Sequence, residues 1–299
     1  MHRITIASLL AALLLVACSS PTSSGGRVSV VATTTVLADL ATQVAGPDAN
    51  VDALAPAGAS IEDFAPKPED AKRIANARVI LVNGLALDRW VEPLLRNASK
   101  DARIVTLSDD LPRLGVGESA DPDINANGNP HYWFDVKYAK VYVERIRDAL
   151  VTADPSHSDG YRSRATSYLG ELDRLDAEIR TQVAQIPAAR RKLVTSHDAF
   201  PYYANAYGLS VVGFTQPEEG KEPSPSELAA LVALVKKEQV PAIFSEAQVS
   251  PRLAETLARE AGVRTIVTDL PTDSLGEPPA DSYLGMMRTV TDKIVQALR

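Results

Sequence analysis

Short β-rich runs alternate with helical patterns over the first half of the chain. Runs rich in valine, isoleucine and leucine predict strands at 27–33, 51–56, 79–84 and 103–108. Apolar residues at intervals of three and four predict helices at 36–46, 68–77 and 87–98. Because strands that alternate with helices at this spacing form βαβ units, the pattern predicts a parallel sheet flanked by helices.

The last part of the chain repeats this order of elements. The same signals predict strands at 192–196, 209–214, 241–246 and 263–269. They predict helices at 200–208, 224–239, 250–262 and 282–299. The two parts share an order of elements but no repeat at the level of individual residues.

Residues 154–186 lie between these two patterns and contain no strand signal. Tyrosines and aliphatic residues recur there at helical intervals, at Tyr161, Tyr168, Leu169, Leu172, Leu175, Ile179 and Val183. Pro187 ends the pattern. A helix of about 30 residues is about 45 Å long, which is too long to cover one face of a small sheet. We therefore interpret this segment as a spine that joins two lobes.

The predicted fold is α/β with two lobes, each a parallel sheet flanked by helices, joined by one long spine helix. The predicted boundaries are 27–153 for the N-terminal lobe, 154–187 for the linking helix and 188–299 for the C-terminal lobe. Hydrophobic residues make up 45% of the 299 residues, which is enough for a full core and excludes a mostly disordered chain. The formal net charge of −7 argues against nucleic acid as a partner.

The chain begins with a short basic head and an apolar run at 4–17. This run of about 14 residues is shorter than the roughly 20 that span a bilayer, and it is typical of a signal peptide, residues 1–17. Small residues before Cys18 resemble the bacterial lipobox, in which the cysteine becomes the lipidated first residue. An ordinary signal peptide with an incidental cysteine is the alternative. Residues 18–26 are rich in serine and glycine, which predicts a flexible tether. With the lipobox, we expect an extracytoplasmic protein anchored to the cell membrane by a lipid on Cys18.

Two of the four histidines are placed for chemistry. His2 is lost with the signal peptide, and His157 lies at the start of the spine helix, where we expect it to be solvated. His131 follows a Gly/Asn loop, and His197 directly follows a predicted strand. Either histidine alone would usually be a structural hydrogen-bonding residue, but two in opposite lobes could face each other across a cleft. Because Cys18 is the single cysteine, disulfides within the chain and cysteine-based metal sites are excluded.

Ligands of open α/β sheets bind beyond the carboxyl ends of strands, and this position selects the candidate carboxylates. Glu62 and Asp63 lie in the loop at 58–70, Glu246 ends a predicted strand, and Asp273 follows the last strand. Composition alone distinguishes none of them, because most acidic residues are simply solvated.

Six blocks of the sequence together resemble a known family, the metal-binding solute-binding proteins of ABC transporters (ZnuA/TroA-like). The blocks occur in order behind the lipobox: VVATTTVLADLATQVAG (30–46), PKPEDAKRIANARVILVNGLALDRWVEPLL (66–95), NPHYWFDV (129–136), LVTSHDAFPYYANAYGL (193–209), FSEAQVSPRLAETLAREAG (244–262), and DSLG with SYLGMMR (273–276 and 282–288). The resemblance implies His131, His197 and Asp273 as metal ligands.

The first ligand of the family is usually a histidine in a Pro-His-x-Tyr-x-Pro pattern, and this chain departs from it. Aligning Phe64 and Pro66 with the aromatic residue and proline of that pattern puts Glu62 at the histidine position. Asp63 is the alternative if the loop shifts by one residue. The resemblance thus implies a site of two histidines and two carboxylates, with two ligands from each lobe.

The resemblance also implies a cargo and a partner. The cargo is one divalent transition metal ion, Mn²⁺ or Zn²⁺ with Fe²⁺ possible, delivered to the membrane permease of an ABC importer by a monomeric protein that is not an enzyme. Two carboxylates favour a harder ion such as manganese, and the segment 115–130 lacks the histidines of many zinc carriers. The alternatives are a surface adhesin of the same family and a metallohydrolase with Glu246 as general base.

Overall fold

The computed structural model describes residues 26–115, 122–216 and 221–299. The predicted signal peptide, Cys18 and residues 18–25 of the predicted tether lie outside the described residues, as do 116–121 of the histidine-free segment. In the described part of the chain, no helix is both long and apolar enough to cross a membrane.

Residues 27–153, called the N-terminal half below, include a four-stranded parallel sheet in their described part. Its strands are β1 (Val28–Ala32), β2 (Ala49–Ala53), β3 (Val79–Val82) and β4 (Arg103–Thr106), in the order β2-β1-β3-β4. Its helices are α1 (Thr35–Ala45), α2 (Pro68–Asn76), α3 (Glu92–Leu95), α4 (Pro122–Asn127) and α5 (Val136–Ala153). The parallel α/β arrangement predicted from the hydrophobic pattern is therefore confirmed here.

Two elements of this half differ from the predictions. The helix predicted at 87–98 is a 3-10 turn, Arg89–Val91, followed by the four-residue α3. Pro93 lies in the first turn of α3, where its missing N–H does no harm, but it could not lie deeper in a longer helix. Helix α5 was not predicted, although Asp135 caps it by accepting a hydrogen bond from the Lys137 N–H.

The predicted spine is confirmed as a long helix, α6 (Ser158–Val183), preceded by a 3-10 turn at Pro155–His157. Of the apolar residues that predicted it, six are buried and Leu169 is half-buried; the buried ones are Tyr161, Tyr168, Leu172, Leu175, Ile179 and Val183. Helix α6 packs against α1 and α5 of the first half and against the final helix of the chain. The largest core cluster contains residues of both halves.

The described part of residues 188–299, called the C-terminal half below, includes two parallel strand pairs. Strands β5 (Lys192–Thr195) and β6 (Ser210–Phe214) form one pair, and β7 (Ala242–Glu246) and β8 (Thr265–Leu270) form the other. The helices are α7 (Pro201–Tyr207), α8 (Pro225–Glu238), α9 (Arg252–Ala261) and α10 (Tyr283–Leu298). The pairs meet along β5 and β7, where the Glu246 N–H donates to Ser196 Oγ at 3.2 Å. The carboxyl ends of β5, β7 and β8 therefore lie close together.

Candidate metal centre

His131 lies in the first half, on the loop that leads into α5, and Asn129 holds it. The Asn129 side-chain oxygen accepts from the His131 backbone N–H at 3.0 Å and lies 3.0 Å from Nδ1 of its ring. The Asn129 amide nitrogen donates to the Asp198 carbonyl in the other half at 2.5 Å. That second bond orients the amide, so its oxygen must face His131 and Nδ1 must carry the proton. The lone pair of the neutral ring is then on Nε2.

His197 follows β5 by two residues and is held by Glu246 at the end of β7. Its backbone N–H donates to Glu246 Oε1 at 3.0 Å, and its Nδ1 lies 2.5 Å from Oε2. An ionised carboxylate only accepts hydrogen bonds, so Nδ1 again carries the proton and Nε2 the lone pair of the neutral ring. Glu246 is fully buried and His197 is 4% exposed.

Asp273 follows β8, and the hydrogen bond that it accepts from a described residue, Gln248, is made by Oδ2. Gln248 Nε2 donates to Oδ2 at 2.9 Å and also contacts Thr272 Oγ1. Oδ1 is buried and has no hydrogen-bond partner within the described residues, although it lies 3.3 Å from His131 Nε2. Buried polar atoms are nearly always satisfied, so this orphaned oxygen points to a missing partner.

These three side chains converge on one point. His131 Nε2 lies 3.1 Å from His197 Nε2, and His197 Nε2 lies 3.7 Å from Asp273 Oδ2. One ligand atom from each residue falls within 4.8 Å of the others, and all three residues are buried. Two imidazole lone pairs and a carboxylate that face each other at these distances favour a cation between them. The nitrogen and oxygen donors suit a divalent transition metal.

The charge around Asp273 is consistent with its role as an anion. Burial by itself would raise the pKa of the Asp273 carboxyl, but the positive charge that the His197 and His131 rings carry when protonated and the hydrogen bond from Gln248 hold its pKa below the ordinary value. The group therefore stays ionised in a place where water cannot solvate it.

The remaining candidates from the sequence lie elsewhere. Glu62 is half-buried and lines a separate cavity of about 190 Å³ together with Leu85, Arg89 and Pro130. It is not part of the three-residue group, but Pro130 directly precedes His131. Asp63 is exposed.

His157 is partly exposed at the start of α6. Its ring nitrogen Nδ1 lies 2.5 Å from Asp154 Oδ2. Its exposed side chain agrees with the solvated position expected from the sequence.

Two residues that position the site were missed in the sequence, Asn129 and Gln248. Each lies two residues from a candidate, Asn129 before His131 and Gln248 after Glu246. Closeness in sequence to a candidate residue is the one feature that could have indicated them. Many residues that do not position the site share this feature.

Comparisons with known proteins agree with this geometry. Residues 30–297 match the family described as "ZnuA: Zinc-uptake complex component A periplasmic". The manganese-binding lipoprotein MntA of Halalkalibacterium halodurans is 33% identical over 92% of this chain and 89% of its own length. The iron-binding protein YfeA of Yersinia pestis is 31% identical over 93% of this chain and 88% of its own length.

A solved structure supports the same assignment. The periplasmic zinc-binding protein TroA of Treponema pallidum superposes with a TM-score of 0.83 at 29% identity, covering 91% of this chain and 99% of its own. The family match includes all three converging residues. The chain therefore belongs to the ZnuA family of periplasmic metal-uptake components, and it is a metal-binding solute-binding protein of an ABC transporter rather than an enzyme.

Proposed function

We propose that this protein captures one divalent transition metal ion between His131, His197 and Asp273 and delivers it to the permease of an ABC importer. The observation that carries the proposal is the meeting of two Nε2 atoms and an orphaned carboxylate oxygen inside the protein. In this arrangement the ion would supply the positive charge that the buried carboxylate lacks. It would also link residues from both halves of the chain.

We propose manganese as the preferred cargo, with zinc next and ferrous iron also accepted. The donor set contains oxygen and nitrogen but no sulfur, and carboxylate donors favour harder ions. The relatives named above bind manganese, iron and zinc respectively, so the family tolerates all three. Since zinc binds such sites more tightly than manganese in the Irving–Williams order, we expect zinc to compete in vitro.

Glu62 is our candidate for a fourth ligand. Its cavity adjoins Pro130, so a shift of the loop at 58–70 would carry it towards His131. Asp63 is the alternative within the same loop. A carboxylate from this loop would give the N-terminal half two ligands and the C-terminal half two.

Release of the ion requires the ligand-bearing loops to separate. The loop that carries Asp273 is tied to the N-terminal half by two hydrogen bonds. The Gly58 N–H donates to Ser274 Oγ at 2.9 Å, and the Leu275 N–H donates to Thr35 Oγ1 at 2.8 Å. We propose that docking on the permease breaks these bonds and exposes the ion, while the long α6 limits wider opening.

We further propose that the protein is a monomer, binds no nucleic acid, and is held at the outer face of the cell membrane by a lipid on Cys18. The lobes would be bounded at 27–153 and 188–299, with 154–187 as the link. The lipoprotein MntA among its relatives supports this location. The adhesin alternative has no observation in its favour and is not proposed.

The test is metal analysis followed by competition titration. We expect one ion per chain, and binding at one hundred times the dissociation constant stabilises the folded state by about 2.7 kcal/mol. A thermal melt of stripped protein with and without Mn²⁺ or Zn²⁺ measures this effect. Protein that binds neither ion, or whose melting temperature rises with neither ion, would contradict the proposal.

A further inference from the structure

Glu246 is a buried carboxylate that contacts His197 and is not one of the three converging residues. Both of its oxygens face His197, Oε1 the backbone N–H at 3.0 Å and Oε2 the ring Nδ1 at 2.5 Å. Thr272 Oγ1 donates to Oε2 at 3.4 Å. Among the described residues, no lysine or arginine forms an ion pair with Glu246; its ion-pair partner is His197.

We propose that Glu246 is a positioning residue that sets the metal affinity of this site through His197. This inference rests on the metal site proposed above. A carboxylate offers only acceptors, so it keeps the proton of the neutral ring on Nδ1 and turns the Nε2 lone pair towards His131 and Asp273. The same contact makes the ring a stronger donor to a metal ion.

Glu246 also contributes charge. Asp273 and Glu246 are both buried carboxylates of the site. A buried charge without a partner is costly, so the presence of two carboxylates favours a cation there.

A chain of hydrogen bonds connects the two carboxylates. Gln248 Nε2 contacts both Asp273 Oδ2 and Thr272 Oγ1, and Thr272 Oγ1 reaches Glu246. The group that orients His197 and the group expected to bind the ion are thereby held in one network at the ends of β7 and β8.

The experiment compares Glu246→Gln with a matched control, Glu255→Gln, at an exposed position of α9. Glutamine has one acceptor oxygen where the two N–H groups of His197 need two. If that oxygen stays with the backbone N–H, the amide NH₂ faces Nδ1 and the ring proton moves to Nε2, towards the ion. We expect Mn²⁺ affinity to fall about a hundredfold for Glu246→Gln and to be unchanged for Glu255→Gln.

A spectroscopic readout separates positioning from a merely structural role. In the zinc-loaded parent protein, ¹⁵N NMR of the His197 ring should show a protonated Nδ1 and a coordinated Nε2, and this needs no variant. Glu246→Asp, which keeps the carboxylate, should retain that signature and part of the affinity.

Three outcomes would distinguish a failure of the proposed function from a failure of the proposed role of Glu246. A parent protein that binds no metal refutes the proposed function itself. A parent that binds metal while Glu246→Gln binds equally well refutes only the role of Glu246. A parent in which Nδ1 of His197 coordinates zinc refutes it too, even if Glu246→Gln does not fold.

Discussion

The two histidines of the site meet at 3.1 Å but are held in different ways. His131 is oriented by a neutral amide, Asn129, which reaches across to the Asp198 carbonyl in the other half of the chain. His197 is oriented by a buried carboxylate, Glu246, from a neighbouring strand of its own half. The orientation of the first ring therefore depends on how the halves meet, and that of the second does not.

This contrast has a functional consequence. If the halves move apart on the transporter, the bond from Asn129 to Asp198 is lost, and His131 loses part of its support. His197 and Glu246 would keep their geometry, because both belong to the paired strands of the C-terminal half. We therefore expect His131 to dissociate from the ion before His197 does.

The largest effect should come from removing either ring. His131→Ala and His197→Ala each delete a nitrogen ligand, and we expect Mn²⁺ affinity to fall by more than about a hundredfold, beyond the usual effect of a supporting residue. Competition titration with a chelating fluorophore measures the loss. His157→Ala, on the exposed start of α6, is the control and should bind as the parent does. Equal losses in all three variants would contradict the assignment.

The next largest loss of Mn²⁺ affinity is expected at Glu62, and it shows whether the N-terminal half contributes one ligand or two. If Glu62 moves in to complete the site, Glu62→Ala should weaken Mn²⁺ binding by about tenfold to a hundredfold, and Asp63→Ala should have little effect. The same titration decides between them. If Glu62→Ala binds Mn²⁺ as the parent does and Asp63→Ala binds it more weakly, the ligand is Asp63. If both variants bind as the parent does, His131 is the single ligand that the N-terminal half supplies.

Asn129 should matter less than Glu246, because its amide carries no charge. We expect Asn129→Ala to cost about tenfold in Mn²⁺ affinity and about 1–3 kcal/mol in stability, since it leaves the backbone N–H and the ring Nδ1–H of His131 without their acceptor. Asn125→Ala, on the exposed face of α4, is the matched control. If Asn129→Ala loses as much Mn²⁺ affinity as Glu246→Gln, the neutral amide supports His131 as strongly as the carboxylate supports His197, and the proposed difference between the two rings is wrong.

Asn129→Asp separates the two functions of the amide. It keeps an acceptor for His131 Nδ1 but loses the donor to the Asp198 carbonyl. We expect faster metal dissociation, measured by stopped-flow chelation, because the contact between the halves is weakened. An unchanged dissociation rate would show that the bond to Asp198 does not hold the site closed.

The smallest effect concerns a strained turn beside the cavity that Glu62 lines. Leu85 and Ala86 have positive φ values of 53° and 73°, and Asp88 sustains the turn by accepting from the Asn83 and Gly84 N–H groups. Glycine adopts such angles without steric cost. Ala86→Gly should stabilise the fold by about 0.5–1 kcal/mol without changing metal affinity, as chemical denaturation would measure. The control Ala229→Gly, on the exposed face of α8, should instead destabilise it.

The fold was largely predictable because its signals are local. Valine-rich runs and helical periodicity need only neighbouring residues, and they indicated the parallel strands and the long α6. The predicted helix at 87–98 was too long because Pro93 limits α3. Helix α5 was overlooked although Val136, Ala139 and Val143 follow helical spacing and are buried.

The sequence by itself indicated which residues could bind a metal. Their positions beyond strand and loop ends made His131 and His197 candidates, and the resemblance to a known family implied both of them, with Asp273 and Glu62, as ligands, since motifs depend on short stretches of chain. It also indicated the secretory start and the absence of cysteine ligands.

Only the tertiary structure decided how these residues are held. Glu246 lies 49 positions from His197, and Asn129 lies 69 positions from Asp198. Contacts over such separations depend on the packing of β5 against β7 and of one half against the other, which no local pattern encodes. The same packing left Glu62 in a neighbouring cavity and brought two lone pairs and a carboxylate to one buried point, where a cation is the partner that electrostatics favours.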